Sequence, residues 1–277
     1  MHSTNCLNCE TALLGSENYC PECGQKSDTH RFTWGHFFHE MWHAMTHTDR
    51  GLLNLLKGLA TKPGPTVSEF VSGKLKKYFN PVTFLLLCLG FFVLTNAILK
   101  PMDPPGPIPE AMAKMNPQQK AYYLILMERT AVAFKWQEKN PNILALVGFP
   151  LQAFLFWLFF RKRNRNYVEI LIAVIFIGGF ANLIFSTIFA PLLSLTKNTD
   201  PYLWLLGLSM LAMLVYISWG MKGFLQNPAS INFFKVFAVT LLYIVTWTII
   251  TTIFFLWFIM RENTIPTIKE MIHRALN

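Results

Sequence analysis

An all-α polytopic membrane protein is the fold class this sequence predicts, and three observations predict it. Five windows, Val82–Leu99, Ile143–Phe160, Ile170–Leu195, Tyr202–Met221 and Val236–Ile259, contain no Asp, Glu, Lys, Arg or His. Only 14% of the 277 residues are charged against 53% hydrophobic, where a soluble domain carries roughly a quarter charged. Four of the five cysteines fall within the first 23 residues, as two C-x-x-C pairs.

The windows set the frame. A helix needs about 20 apolar residues to cross ~30 Å of hydrocarbon, and each window has 18 or more. One such run could be a buried core helix, but five in one chain have no soluble counterpart. The expected organisation is a head at 1–30, amphipathic juxtamembrane helices at 31–79, a five-span domain at 80–260 and a tail at 261–277. The loop 100–140 joins the first two spans on the far side.

The head reads "CLNCETALLGSENYCPECGQK". Cys6 and Cys9 form one knuckle, Cys20 and Cys23 the next, and two knuckles complete a tetrahedral site. A segment this short cannot hold a core, so bound metal supplies its folding free energy. The reading is a four-cysteine zinc ribbon or a single zinc-closed loop. A disulfide pair or a redox C-x-x-C is the alternative. With all four positions taken by sulfur, such a zinc is structural and has no open position for catalysis.

A helix is expected from about Thr33 to Leu59, with His36, His39, His43 and His47 on one face. After "TKPGPT", Thr66 and Glu69 spell a capping box for a second helix, Val67 to Tyr78. Lys74, Lys76 and Lys77 follow near the entrance to the first span. These helices either lie on the lipid headgroups or pack on each other beneath the head. In the long loop, Asn116, Pro117 and Gln119 predict a helix running to Asn140. Its face is Tyr122, Ile125, Val132 and Trp136.

The formal charge of +9 comes mostly from residues flanking the spans, which points to topology and away from nucleic acid. Lys74, Lys76 and Lys77, then Arg161, Lys162, Arg163 and Arg165, then Lys222 and Lys235 share one side of a five-span protein. Short basic loops stay cytoplasmic, so the N-terminus is expected in the cytoplasm and the C-terminus outside. A reducing cytosol would also keep metal-binding cysteines reduced. No apolar stretch near Met1 reads as a signal peptide.

His39-Glu40-Met41-Trp42-His43 spells H-E-x-x-H, which on a helix can hold catalytic zinc with the glutamate as general base. A zincin draws its third ligand from elsewhere, and His47 continues the same helical row instead. Residues 24–79 are also few for a substrate cleft, and no uncharged window supplies an acid for an intramembrane protease. Three readings stay open: peptidase, a second metal site at His39 and His43, and a solvated histidine row that senses pH near 6. Within the spans, Cys88 is expected to be a small packing residue. Asn96, Gln152, Asn182 and Ser186 are expected as interhelical hydrogen-bond partners. Gly178-Gly179 and Pro191 suggest close packing and a kink.

The runs "CLNCE…YCPECGQK", "HEMWHAMTHTDRGLL" and "LLKGLATKPGPTVSEFVSGKLKKYFNPVTFLLL" together resemble the bacterial membrane-protein family carrying domain of unknown function 3667. The resemblance covers roughly residues 6–95. It implies a protein of the bacterial inner membrane without an assigned activity. The chain departs from the family pattern at Glu10, where a glycine usually follows the first knuckle, and at Lys74-Leu75-Lys76, where a GKR-like run is usual.

The expected function is a non-enzymatic integral membrane protein whose zinc-clipped cytoplasmic head binds a protein or a membrane surface as a scaffold. One alternative is a zinc metallopeptidase using Glu40, His39 and His43. Another is a transporter of an uncharged or lipid-like solute. Expected partners are the lipid bilayer and an unidentified protein, with no nucleic acid and with homo-oligomerisation left open.

Overall fold

A computed structural model describes residues 5–13, 17–27, 51–101, 112–163, 165–197, 199–225 and 231–260. Among these residues the chain is helical and contains no strand. Two isolated bridges in the head, Asn5 with Ala12 and Tyr19 with Lys26, are the β pairings described.

Two short helices precede the first span. Helix α1 (Gly51–Thr61) and helix α2 (Pro63–Val71) are separated by Lys62 alone. The "PGP" run does not break the chain into a loop, because Pro63 sits in the first turn of α2, where a missing N–H costs nothing. Helix α2 therefore starts earlier than the Thr66/Glu69 pattern implies, and Thr66 is a buried interior residue. The helix also ends earlier, at Val71, and residues 72–78 form turns instead. Gly73, at φ 109°, closes it: Gly73 N–H donates to Phe70 O at 3.0 Å and Lys74 N–H to Glu69 O at 3.1 Å. That paired pattern is a Schellman cap, which needs a left-handed residue at this position.

Among the described residues, four helical runs are long and apolar enough to cross a membrane: α3 (Pro81–Leu99), Tyr167–Leu195, α8 (Pro201–Leu225) and Phe233–Phe258. The second comprises α6 (Tyr167–Ile184), a π-helical turn (Phe185–Phe189) and α7 (Ala190–Leu195). Pro191 explains the irregularity, since a proline without N–H leaves the preceding turn to widen. Helix α9 extends over Phe233–Met260. Between α3 and α6 lie α4 (Pro117–Lys139) and α5 (Pro141–Phe160), with Asn140 between them. The 20 residues of α5 include no charged side chain.

Helix α6 is the axis of the bundle. In the run Tyr167–Leu195, which α6 opens, the apolar 18-residue stretch is 78% buried inside the protein, against 11% in α9, so α6 is the core and α9 the rim. Helices α2, α3, α5 and α8 all pack on it. Small residues permit the approach: a Cβ on Gly179 would touch the Phe84 ring at 3.1 Å, and one on Gly178 would strike the Phe149 ring at 2.7 Å. Cys88 is fully buried in this contact. Helix α9 exposes Ile253, Leu256 and Trp257 by more than half each, a surface suited to lipid tails.

Polar groups in the spans divide. Asn96 donates to Phe92 O of its own helix at 2.8 Å, so it is not an interhelical bridge. That role belongs to Ser218, whose hydroxyl meets Thr240 at 3.1 Å between α8 and α9. Helix α4 begins with the expected capping box, Asn116 with Gln119. Its packed face is Ile125, Ala133 and Trp136, while Tyr122 and Val132 are exposed. Trp136 rests on Phe254, Phe255 and Phe258 of α9.

Candidate metal centre and its dock

The head is built from one knuckle used twice, fourteen residues apart. In the first, Cys6 N–H donates to Thr11 O at 2.8 Å and Glu10 N–H to Cys6 O at 2.8 Å. In the second, Cys20 N–H donates to Gln25 O at 2.7 Å and Gly24 N–H to Cys20 O at 2.9 Å. The residue after each second cysteine is left-handed, Glu10 at φ 65° and Gly24 at φ 67°. Only glycine occupies that region without cost, so the first knuckle carries backbone strain that the second lacks. Glu10 thus keeps the turn of the second knuckle and removes no sulfur from the cluster.

Repeating the knuckle turns four sulfurs toward one point. The Sγ atoms of Cys6, Cys9, Cys20 and Cys23 all lie within 4.8 Å of one another. Cys6 meets Cys23 at 3.6 Å, and Cys9 meets Cys20 at 3.6 Å. Tetrahedral zinc with Zn–S bonds of about 2.3 Å requires sulfur separations of about 3.8 Å, so the donor set fits such an ion. All five cysteines are free thiols, with no disulfide joining the knuckles.

Local surroundings differ among the four cysteines. Cys6 and Cys20 are buried, Cys23 is partly covered and Cys9 is exposed. A hydrogen bond with the Thr11 hydroxyl at 3.1 Å, with help from the Thr11 backbone, lowers the Cys9 thiol to about 6. Burial pushes the Cys23 thiol up to about 12. A cation held among the four sulfurs would supply the charge that lets both exist as thiolates.

Gln25 joins this cluster to the helices, a role that nothing in the sequence pattern announced. It is 2% exposed. Its Nε2 donates to Gly73 O at 2.6 Å, and its Oε1 accepts from Leu75 N–H at 3.1 Å and Lys76 N–H at 3.4 Å. The second knuckle is therefore seated on the turn that follows α2 and leads into α3. Beside it, Glu69 Oε2 accepts from Lys77 Nζ at 2.7 Å and Tyr78 OH at 2.8 Å. Those two donors hold the Glu69 carboxyl below its ordinary value, Lys77 being the larger cause.

The dock sits at one end of the bundle. Tyr216 OH of α8 donates to Leu59 O of α1 at 3.0 Å. At Gly64 and Gly223 the backbones of α2 and α8 touch, and a Cβ on Gly64 would overlap the Gly223 carbonyl carbon. Arg165 stacks over Phe224 at 4.7 Å and Lys235 over Phe160 at 5.5 Å, so the basic flanks gather at this same end. At the opposite end Ser194 Oγ, Lys197 Nζ and Tyr202 OH donate to the carbonyls of Leu99, Lys100 and Pro101. These side chains satisfy carbonyls that the end of α3 leaves open. His39, Glu40 and His43 lie outside the described residues, as do His36 and His47.

Fold and site together define a helical membrane protein with a four-cysteine candidate metal centre docked at one end. Residues 49–93 match the family model described as a protein of unknown function (DUF3667). The match takes in α1, α2, the Gly73 turn and most of α3. No curated protein and no solved structure matches the chain.

Proposed function

We propose that the chain is a five-span protein of the bacterial inner membrane whose cytoplasmic head, a zinc-clipped ribbon, is a scaffold that binds a protein partner or the membrane surface. The observation that carries this reading is the four-sulfur cluster, whose separations suit a closed tetrahedral ion and leave no position for substrate. Helix α5, uncharged over 20 residues, supplies the fifth span. The cations gathered beside the head support a cytoplasmic head and an extracytoplasmic C-terminus, because short basic loops resist translocation. Thiol ligands agree with a reducing compartment.

The test is photocrosslinking in living cells from a probe at Leu7, which is 39% exposed on the first knuckle. A scaffold head gives a discrete protein adduct, or a lipid adduct if it lies on the membrane surface, that disappears when Cys20→Ser removes a ligand. Adduct formation indifferent to the ligands, or none at all, would sink the scaffold reading.

A further inference from the structure

We propose that Gln25 makes the turn entering the first span a metal-dependent latch, ordered when the cluster is loaded and released when the metal leaves. The inference rests on the metal reading above and adds a regulatory consequence to it. Its basis is the geometry of the dock. Gln25 follows Cys23 by two residues, and its own carbonyl closes the knuckle by accepting from Cys20 N–H at 2.7 Å. The backbone of Gln25 is thus positioned by the knuckle, while its side chain commits both polar atoms to Gly73, Leu75 and Lys76.

Each partner needs the other in place. A segment of this length has no apolar core to balance the conformational entropy of ordering it. Without a cation the knuckle therefore loses its fixed shape, and Gln25 loses its aim. The stretch it grips is narrow: Gly73 and Lys74 N–H are held by the Schellman cap, and Lys77 and Tyr78 by Glu69, so Gln25 acts on the Leu75 and Lys76 amides between them. Gly73 O and Lys76 N–H then exchange a buried amide for water. Metal occupancy is in this way read out at the membrane entrance, some 50 residues along the chain from the ligands.

Hydrogen exchange on the full chain in lipid nanodiscs tests this, with zinc per chain measured on the same samples. Protection at the Leu75 and Lys76 amides should fall about tenfold when a chelator strips the metal, and return on adding zinc. Exchange in α6 should not change, which separates release of the latch from unfolding of the bundle. Gln25→Ala should retain its metal yet exchange at the stripped rate, with no further response to chelator. Gln25→Glu, which keeps the acceptor for Leu75 and Lys76 but not the donor to Gly73, should lie between. Should Gln25→Ala fail to fold, the wild-type chain with and without chelator decides alone. Metal lost with protection intact overturns the latch and leaves the metal centre standing. A chain that neither carries nor takes up zinc overturns both, and the metal assay identifies that case.

Discussion

Gly24 and Glu10 occupy the same backbone conformation in two copies of one turn, and Glu10 bears a steric cost that Gly24 avoids. A Cβ on Gly24 would meet nothing within 4 Å, so Gly24→Ala isolates the backbone term. It should weaken metal retention by about 1 kcal/mol, read as an earlier midpoint in chelator competition. Glu10→Gly should shift the midpoint the other way by a similar or smaller amount, because glycine also loosens the unfolded chain. Protons give a second test. The metal-free head holds a proton on Cys23, whose thiol is pushed up to about 12, and loading must expel it. The metal-free state thus binds more protons, so retention should strengthen as pH rises and weaken as it falls. Calorimetry in buffers of different ionisation enthalpy should detect at least one proton released per ion. The cysteine cluster was plain in the sequence because two C-x-x-C pairs at this spacing bring four sulfurs together. Gln25 was not, since its importance depends on a turn some 50 residues away.

Among the elements, α2 is where reading from sequence and folding diverge. Thr66 and Glu69 have the spacing of a capping box, yet Pro63 starts the helix first. Thr66 instead packs where a Cβ on Gly58 would strike its hydroxyl at 2.5 Å, and Glu69 turns to Lys77 and Tyr78. The same spacing at Asn116 and Gln119 was read correctly, because there no tertiary contact competes for the side chains. On the Glu69 side, the partners' benefit is lost in acid. Its carboxyl is held below 4.5, so the contribution is complete above that value and fades as pH falls through the lowered one. Both side chains are more than a third exposed, so the effect should be small. Gly64 is less forgiving. Gly64→Val would push α2 off the Gly223 backbone and should cost about 1–3 kcal/mol, seen as a lower melting temperature in detergent. Helical faces were harder to foresee than helices: on α4, Trp136 rests on the aromatic end of α9 and Ile125 and Ala133 are buried, while Tyr122 and Val132 are exposed.

For the molecule as a whole, apolar windows made the membrane class legible, but length and charge carry no information about which helix is central. All the spans read alike from sequence, whereas α6 is the core and α9 the periphery. Ile172 is fully buried and Ile253 is 61% exposed. Ile172→Ala should therefore cost about 2–5 kcal/mol, while Ile253→Ala should change the unfolding midpoint little, as measured in matched lipid. The family match ends within α3, so it reinforces the docked entrance to the membrane more than the remaining spans. The central claim is that four thiolates share one ion at that entrance. X-ray absorption at the zinc edge on the purified full chain tests it most directly. One zinc per chain with four sulfur neighbours near ~2.3 Å is expected; a shell containing nitrogen or oxygen, or cysteines recovered as disulfides, would contradict it.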